Sequence, residues 1–465
     1  MLGIILNRDS ELQLWRQIYQ AIKEKMMCGH LKAAEALPST RELANELGVS
    51  RNTVCMAYEM LVAEGYAVSH QGAPTRVMDG LYLEPFIVPQ SSNQFVERTI
   101  SADFRTGKPD LRQFPRFLWQ QLMNNTTAQL PLTMLDYSTP QGLFSLRQEI
   151  AAWLFRSRGM TIDPNDVFIS AGATHALHLI AGLLCGKEAK IILEDPCHTG
   201  MLRSLTHRGT GIVPIPVDSE GIRVDEFPVD ANIRAVYVTP SHQFPMGGIL
   251  SASRRAALVR YARENNVYII EDDYDSEFRY SGELIAPLHA IDPQRVIYVG
   301  TFSKSLFPAL RIGYVILPYS LQQSWRVLRT HMDVQNPPFE QAALAELLRT
   351  RKFDRHVHKM RRIYRQRREV LLEALRQLLG ERCCAHGDSA GLHVAIEYPG
   401  LNFNEEFQKR CFESGILVTG MQTHCIRTDW HHNKLLLGYG HLNSEEIKAG
   451  VNHLERIMKE FENQP

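Results

Sequence analysis

Thr301-Phe302-Ser303-Lys304-Ser305-Leu306-Phe307-Pro308-Ala309-Leu310-Arg311 follows a short apolar run at 296–300 and sets one lysine among small hydroxyl residues. An arginine stands seven positions further on. A lysine that forms a Schiff base with an aldehyde needs a largely buried amine of lowered pKa. If the aldehyde belongs to pyridoxal 5'-phosphate, hydroxyls and a guanidinium must also hold the phosphate. Thr301, Ser303 and Arg311 are the right types, which makes Lys304 the candidate catalytic residue. A surface lysine in a polar loop has the same local pattern, so the rest of the chain decides between the two.

From residue 111 onward, helical segments alternate with apolar strand-like runs at 167–170, 190–193, 211–214, 235–238, 267–270, 296–299 and 313–317. Strands separated by helices predict a mostly parallel sheet covered on both faces, an α/β fold. From about 339 to the end, long helices and a strand at 392–396 predict a smaller α/β subdomain. Ile269-Ile270-Glu271-Asp272-Asp273-Tyr274-Asp275-Ser276-Glu277 puts a run of acids right after one strand. In open α/β sheets the C-terminal strand edge is where ligands bind, and a carboxylate there keeps a pyridine nitrogen protonated. A metal cluster or a solvated acidic loop fits the same residues. Ser170-Ala171-Gly172-Ala173-Thr174 joins a strand to an apolar helix, and small residues there let a phosphate approach backbone N–H groups.

The first 80 residues differ in character. Three helices are predicted between 11 and 65, the second with Ser39 as N-cap and Glu42 three residues later, the third starting at Ser50. The short turn Leu47-Gly48-Val49-Ser50 suits a helix-turn-helix. Two short strands around Gln71-Gly72-Ala73-Pro74 would form a wing. Polar and basic residues at the helix N-termini, Ser39, Thr40, Arg41, Ser50, Arg51, Asn52 and Thr53, with Arg76 on the wing, are candidate DNA contacts. Bulk charge is silent: residues 1–80 hold 8 Lys/Arg against 9 Asp/Glu, and the whole chain 51 against 51. The basic side chains must therefore gather on one face. Periodicity fades over 81–110, which reads as a linker between a domain at 1–80 and one at 111–465.

No apolar run approaches a membrane span, and the charged start at Arg8, Asp9 and Glu11 does not suit a secretory signal. Eight cysteines without a CxxC pair read as reduced thiols of a cytoplasmic protein. The basic helix at 349–368 reads as a solvated face.

The N-terminal segment resembles the winged helix-turn-helix of GntR-type repressors, except for the wing turn, where Pro74 cannot supply the positive φ of the usual glycine. The order of motifs over roughly 105–465 resembles fold-type I aminotransferases. Together, with the strings TPSHQFP, EDDYDSEF and GTFSKSL, the chain resembles MocR/GabR-type transcription regulators.

That resemblance implies operator DNA as partner, pyridoxal 5'-phosphate as cofactor, a homodimer, and a small amine, an amino acid or the cofactor itself as effector. It implies that Lys304 carries the cofactor and Asp272 pairs with its ring nitrogen, with Tyr274 near its phenolic oxygen. Thr301, Ser303 and Arg311, with the backbone of Ala173 and Thr174, would bind phosphate. His198 stands where relatives often carry a stacked tyrosine, and Phe244 replaces an asparagine, a hydrogen bond that His242 or Gln243 would remake. The usual carboxylate-binding arginine is missing from 435–440, with Arg427 as its candidate replacement, unless the effector has no carboxylate. A working aminotransferase with an accessory N-terminal module is the alternative reading.

Overall fold

The computed structural model describes residues 2–81, 100–186, 188–282, 285–428 and 430–462. Two compact units divide between residues 96 and 97. Residues 82–99 of the expected linker lie outside the described residues.

The first unit holds α1 (Leu14–Met27), α2 (Thr40–Leu47) and α3 (Arg51–Ala63), then β1 (Ala67–Val68) antiparallel to β2 (Arg76–Val77). Ile18, Ile22 and Met26 recur every fourth residue along α1 and pack with Leu43, Val54, Ala57 and Leu61 into one core. The Ser39 hydroxyl accepts the Glu42 N–H at 3.2 Å while the Glu42 carboxylate accepts the Ser39 N–H at 2.9 Å, a complete capping box on α2. Ser50 caps α3 by accepting the Thr53 N–H at 3.2 Å.

The second unit opens with β3 (Ala102–Asp103), so residues 100–110, expected in the linker, belong to this body instead. Their polarity is answered at long range: Asp110 is buried against the Arg367 guanidinium at 2.6 Å. Helices α4 (Arg116–Gln129) and α5 (Phe144–Arg158) precede the main sheet. Its strands are β4 (Val167–Ser170), β5 (Lys190–Asp195), β6 (Gly211–Asp218), β7 (Gly221–Ile222), β8 (Ile233–Val238), β9 (Tyr268–Asp273), β10 (Val296–Thr301) and β11 (Gly313–Ile316), in the order β4-β11-β10-β9-β8-β5-β6-β7. The central pairs from β10 to β6 are parallel, while β11 runs antiparallel to both of its neighbours. Helices α6 (Ala173–Leu184), α7 (Thr199–Thr206), α8 (Ala252–Glu264), α9 (Tyr319–Met332) and α10 (Pro338–Arg349) follow the strands. Separate cores form on the two faces of the sheet, one with Leu177, Ile191 and Trp325, another with Ile192, Val236 and Leu258. That explains why these strands read as continuous apolar runs.

The long α11 (Lys352–Leu379) leads to β12 (Cys384–His386), β13 (His393–Glu397), α12 (Glu405–Glu413), β14 (Ile416–Leu417), β15 (Thr419–Gly420), β16 (Lys434–Gly438) and α13 (Ser444–Glu462). Strands β12-β13-β16-β15 make an antiparallel sheet of their own, and β14 pairs with β3. The basic α11 turns Val357, Met360 and Tyr364 inward and its Arg355, Lys359 and Arg362 outward, but the face is solvated only in part: Arg367 is buried against Asp110, and Arg361 and Arg365 donate to the carbonyls of Glu277 and Tyr280. Among the described residues, no helix is long and apolar enough to cross a membrane.

Candidate cofactor cavity and nucleic-acid interface

A cavity of about 330 Å³ opens at the C-terminal edge of β8, β9 and β10, bounded by the start of α6 and by β13. Lys304 projects into it from the loop after β10, and its Nζ donates to the Gly107 carbonyl at 2.6 Å. Burial lowers the amine's pKa, opposed by the carboxylates of Asp275 and Asp272. Residue 107 is glycine at φ +79°, a backbone conformation that favours it, and a Cβ there would stand 2.8 Å from Nζ.

On one side lie the groups suited to an anion. Arg311 reaches the strand–helix turn, where its Nη2 donates to the Ala171 carbonyl at 2.5 Å. Gly172, at φ +87°, leaves room for that guanidinium, since a Cβ would meet it at 3.0 Å. Ala173 and Thr174 open α6, so their N–H groups lack intrahelical partners and face the positive end of the helix dipole. The Thr301 hydroxyl donates to Ser303 Oγ at 3.0 Å, and both residues line the cavity.

On the other side stands acid. The acidic run does not follow β9 as a loop: Glu271, Asp272 and Asp273 are its last residues and all are buried. Tertiary donors compensate them. Glu271 accepts the Leu288 and His289 N–H groups, both at 2.9 Å. Asp273 accepts the Tyr298 hydroxyl at 2.5 Å. Asp272 accepts the Tyr237 hydroxyl at 2.8 Å on Oδ2, but its Oδ1 is buried without a partner among the described residues. Burial pushes the Asp272 carboxyl up to about 7. An N–H donor placed opposite would satisfy Oδ1 and restore the carboxylate.

His242 is buried beside the cavity rather than in its lining. Its Nε2 faces the Gly387 carbonyl at 3.1 Å and its Nδ1 the Asp275 carboxylate at 3.2 Å, so both ring nitrogens meet acceptors. Burial opposes charging, but the Asp275 carboxylate outweighs it and raises the imidazole's pKa. The Tyr274 hydroxyl, which lines the cavity, donates to the His242 carbonyl at 3.0 Å. Gln243 is committed elsewhere, donating to the carbonyl of Pro196 at 2.9 Å. Arg427 lies outside the lining: its Nη2 donates to the Pro214 carbonyl at 3.1 Å, and its guanidinium covers the Trp430 ring at 4.7 Å.

In the first unit, Ser39, Arg41, Ser50, Arg51 and Asn52 are exposed at the starts of α2 and α3, and Thr40 and Thr53 are half-buried. Arg51 Nε donates to Thr40 Oγ1 at 3.2 Å and ties the two N-termini together. Arg76 is exposed, with Nη1 donating to the Ala34 carbonyl at 2.7 Å.

Comparison with known proteins accounts for both sites. Residues 14–77 match the family "Bacterial regulatory proteins, gntR family", and residues 109–452 match "Aminotransferase class I and II". The uncharacterized HTH-type transcriptional regulator YdeL of Bacillus subtilis is 34% identical over 98% of this chain and 98% of its own length. The HTH-type pyridoxine biosynthesis transcriptional regulator PdxR of Corynebacterium glutamicum is 34% identical over 85% of each chain. The probable rhizopine catabolism regulatory protein MocR of Rhizobium meliloti is 29% identical over 99% of this chain and 96% of its own. This chain belongs to the MocR/GabR-type transcription regulators. Among solved structures, an archaeal alanine:glyoxylate aminotransferase superposes with a TM-score of 0.73 at 26% identity, covering 78% of the regulator and 92% of its own chain.

Pyridoxal 5'-phosphate is the cofactor of such an aminotransferase-class domain, and the residues present fit it. The unpartnered Asp272 Oδ1, the low-pKa Lys304 amine and the Arg311 cradle stand around one cavity of matching character. Sequence reasoning missed several lining residues of this regulator: Gly107, Thr239, Asp275, His393 and His424. Thr239 and Asp275 lie inside the strings TPSHQFP and EDDYDSEF and were within reach; Gly107, His393 and His424 sit in no motif.

Proposed function

We propose that this regulator binds operator DNA through the N-termini of α2 and α3 and adjusts that binding to the state of the Lys304 cavity. The observation that carries the reading is the fusion, in one chain, of a capped helix-turn-helix with a cavity lined by Lys304, Asp272 and Arg311. When bound, pyridoxal 5'-phosphate supplies an aldehyde that takes up amines reversibly.

The chain's residues would divide the work. Arg311, Thr301, Ser303 and the N–H groups of Ala173 and Thr174 hold the phosphate as a multiply charged anion. Asp272 accepts the ring N–H and keeps that proton in place, itself held by Tyr237. Tyr274 presents its hydroxyl where the His242–Asp275 pair can polarise it. The uncharged Lys304 amine is the covalent anchor. His198 lies against the cavity as an aromatic wall. In this reading the regulator acts in the cytoplasm as a homodimer, and the exposed Phe117, Leu132 and Tyr137 are candidates for its self-association face.

The effector is a small amine or amino acid, or the cofactor itself; the likeness to PdxR favours keeping the last in the test. Sustained aminotransferase turnover is disfavoured because Arg427 is turned away from the cavity. Fluorescence anisotropy on operator DNA, with cofactor-free and cofactor-loaded protein and a panel of amines, tests the reading. Operator affinity should change at least several-fold with one of these ligands. Identical affinity throughout, with cofactor demonstrably bound, would refute it.

A further inference from the structure

Phe244 sits at the centre of a wall of rings. His198, His393, His424 and Tyr274 all meet it edge-on, with centroids 5.6, 5.3, 5.0 and 5.9 Å away. All five line the same cavity as Lys304. The three imidazoles come from different elements: His198 from the residue before α7, His393 from the start of β13, His424 from the turn before β16. His393 Nε2 donates to the Pro245 carbonyl at 3.1 Å, which leaves Nδ1 as an acceptor. His198 and His424 each keep a buried Nδ1 with no partner among the described residues.

The wall carries no fixed positive charge. Burial drops His198 and His424 to about 4 and His393 to about 3, so all three are uncharged at neutral pH. Among the described residues, the cavity's only other cationic side chains are Lys304 and Arg311. Arg311 is held at the strand–helix turn by the Ala171 carbonyl. A carboxylate laid against the imidazoles would lose water and gain no counter-ion. A hydroxyl would meet donors and acceptors, and an aromatic ring would meet the edge-on rings it packs best against.

We propose that the wall selects an amine without a carboxylate, bearing a hydroxylated or aromatic tail, and that His424 is the residue that recognises the tail. The inference rests on the reading that Lys304 anchors the cofactor beside this wall.

The test loads the full-length protein with pyridoxal phosphate and follows its visible absorbance during titration with pairs differing only in the carboxylate: tyramine and tyrosine, ethanolamine and serine, histamine and histidine. In at least one pair the amine should move the band at a concentration about 10-fold or more below that of its amino acid, the cost of leaving a buried polar group unpaired. His424→Arg should bring the amino acid level with the amine or ahead of it. The far-ultraviolet spectrum and melting temperature of His424→Arg should match those of the wild type, which separates a change of selectivity from misfolding. The inference is overturned if amino acids titrate at equal or lower concentration in every pair, or if no amine moves the band. A loaded protein with no visible band refutes the underlying reading as well, whereas a band that moves with amino acids alone refutes only the inference.

Discussion

Asp272 shows what a single buried group contributes at this site. Its carboxyl is pushed from an ordinary 3.8 to about 7 by burial, so in the cofactor-free protein the folded state holds a proton that the unfolded chain has released. Between those values, rising pH therefore costs stability, because the unfolded state binds fewer protons. Asp272→Asn removes that penalty. The variant's melting temperature relative to wild type should climb between pH 5 and pH 8 without cofactor, and the gain should shrink or reverse with cofactor present. A pH-independent difference would mean that Asp272 is already satisfied. Gly172→Ala tests the cradle: a side chain at φ +87° is strained and its Cβ would crowd Arg311 at 3.0 Å. Cofactor affinity, read from the visible band, should fall about 10-fold or more while the far-ultraviolet spectrum stays unchanged. The principal residues were readable because each lies in a short string whose chemistry is local: Lys304 among hydroxyls, Asp272 among acids. Gly107 was not, since the amine that its carbonyl meets lies 197 residues away.

At the scale of elements, the helix caps were legible because capping is a contact across three residues. Ser39, Glu42, Ser50 and Thr53 make the bonds that their spacing predicts. Ser39→Ala should cost roughly 1 kcal/mol of the first unit's stability, seen as an earlier transition in a thermal melt. Arg51→Gln should weaken operator binding across sequences and reduce the slope of log affinity against log salt by about one; an unchanged slope would remove Arg51 from the phosphate contacts. The strands were legible as apolar runs, but the end of β9 was misjudged. Three acids look like a loop until Tyr237, Tyr298 and the 288–289 backbone arrive from elsewhere to donate to them. Local pattern cannot display donors supplied by tertiary structure. The same holds for residues 100–110, polar in sequence yet built into the second unit by β14 and Arg367.

For the molecule as a whole, composition was nearly mute: a net charge of zero conceals a helix-turn-helix unit and an aminotransferase-class unit alike. What identified the pair was the order of motifs, each weak alone. Self-association belongs to this scale too. Phe117, Leu132 and Tyr137 are 89%, 82% and 84% exposed. If these side chains meet a second copy of the chain, Phe117→Asp with Leu132→Asp should lower the mass read by sedimentation, and an unchanged mass would remove them from any such interface. Every regulatory consequence then depends on the covalent anchor. The most direct measurement is borohydride reduction of the cofactor-loaded protein followed by peptide mass mapping. A phosphopyridoxyl addition on the peptide carrying Lys304, lost in Lys304→Ala, is the predicted result; an unmodified Lys304, or a label on another lysine, would contradict it.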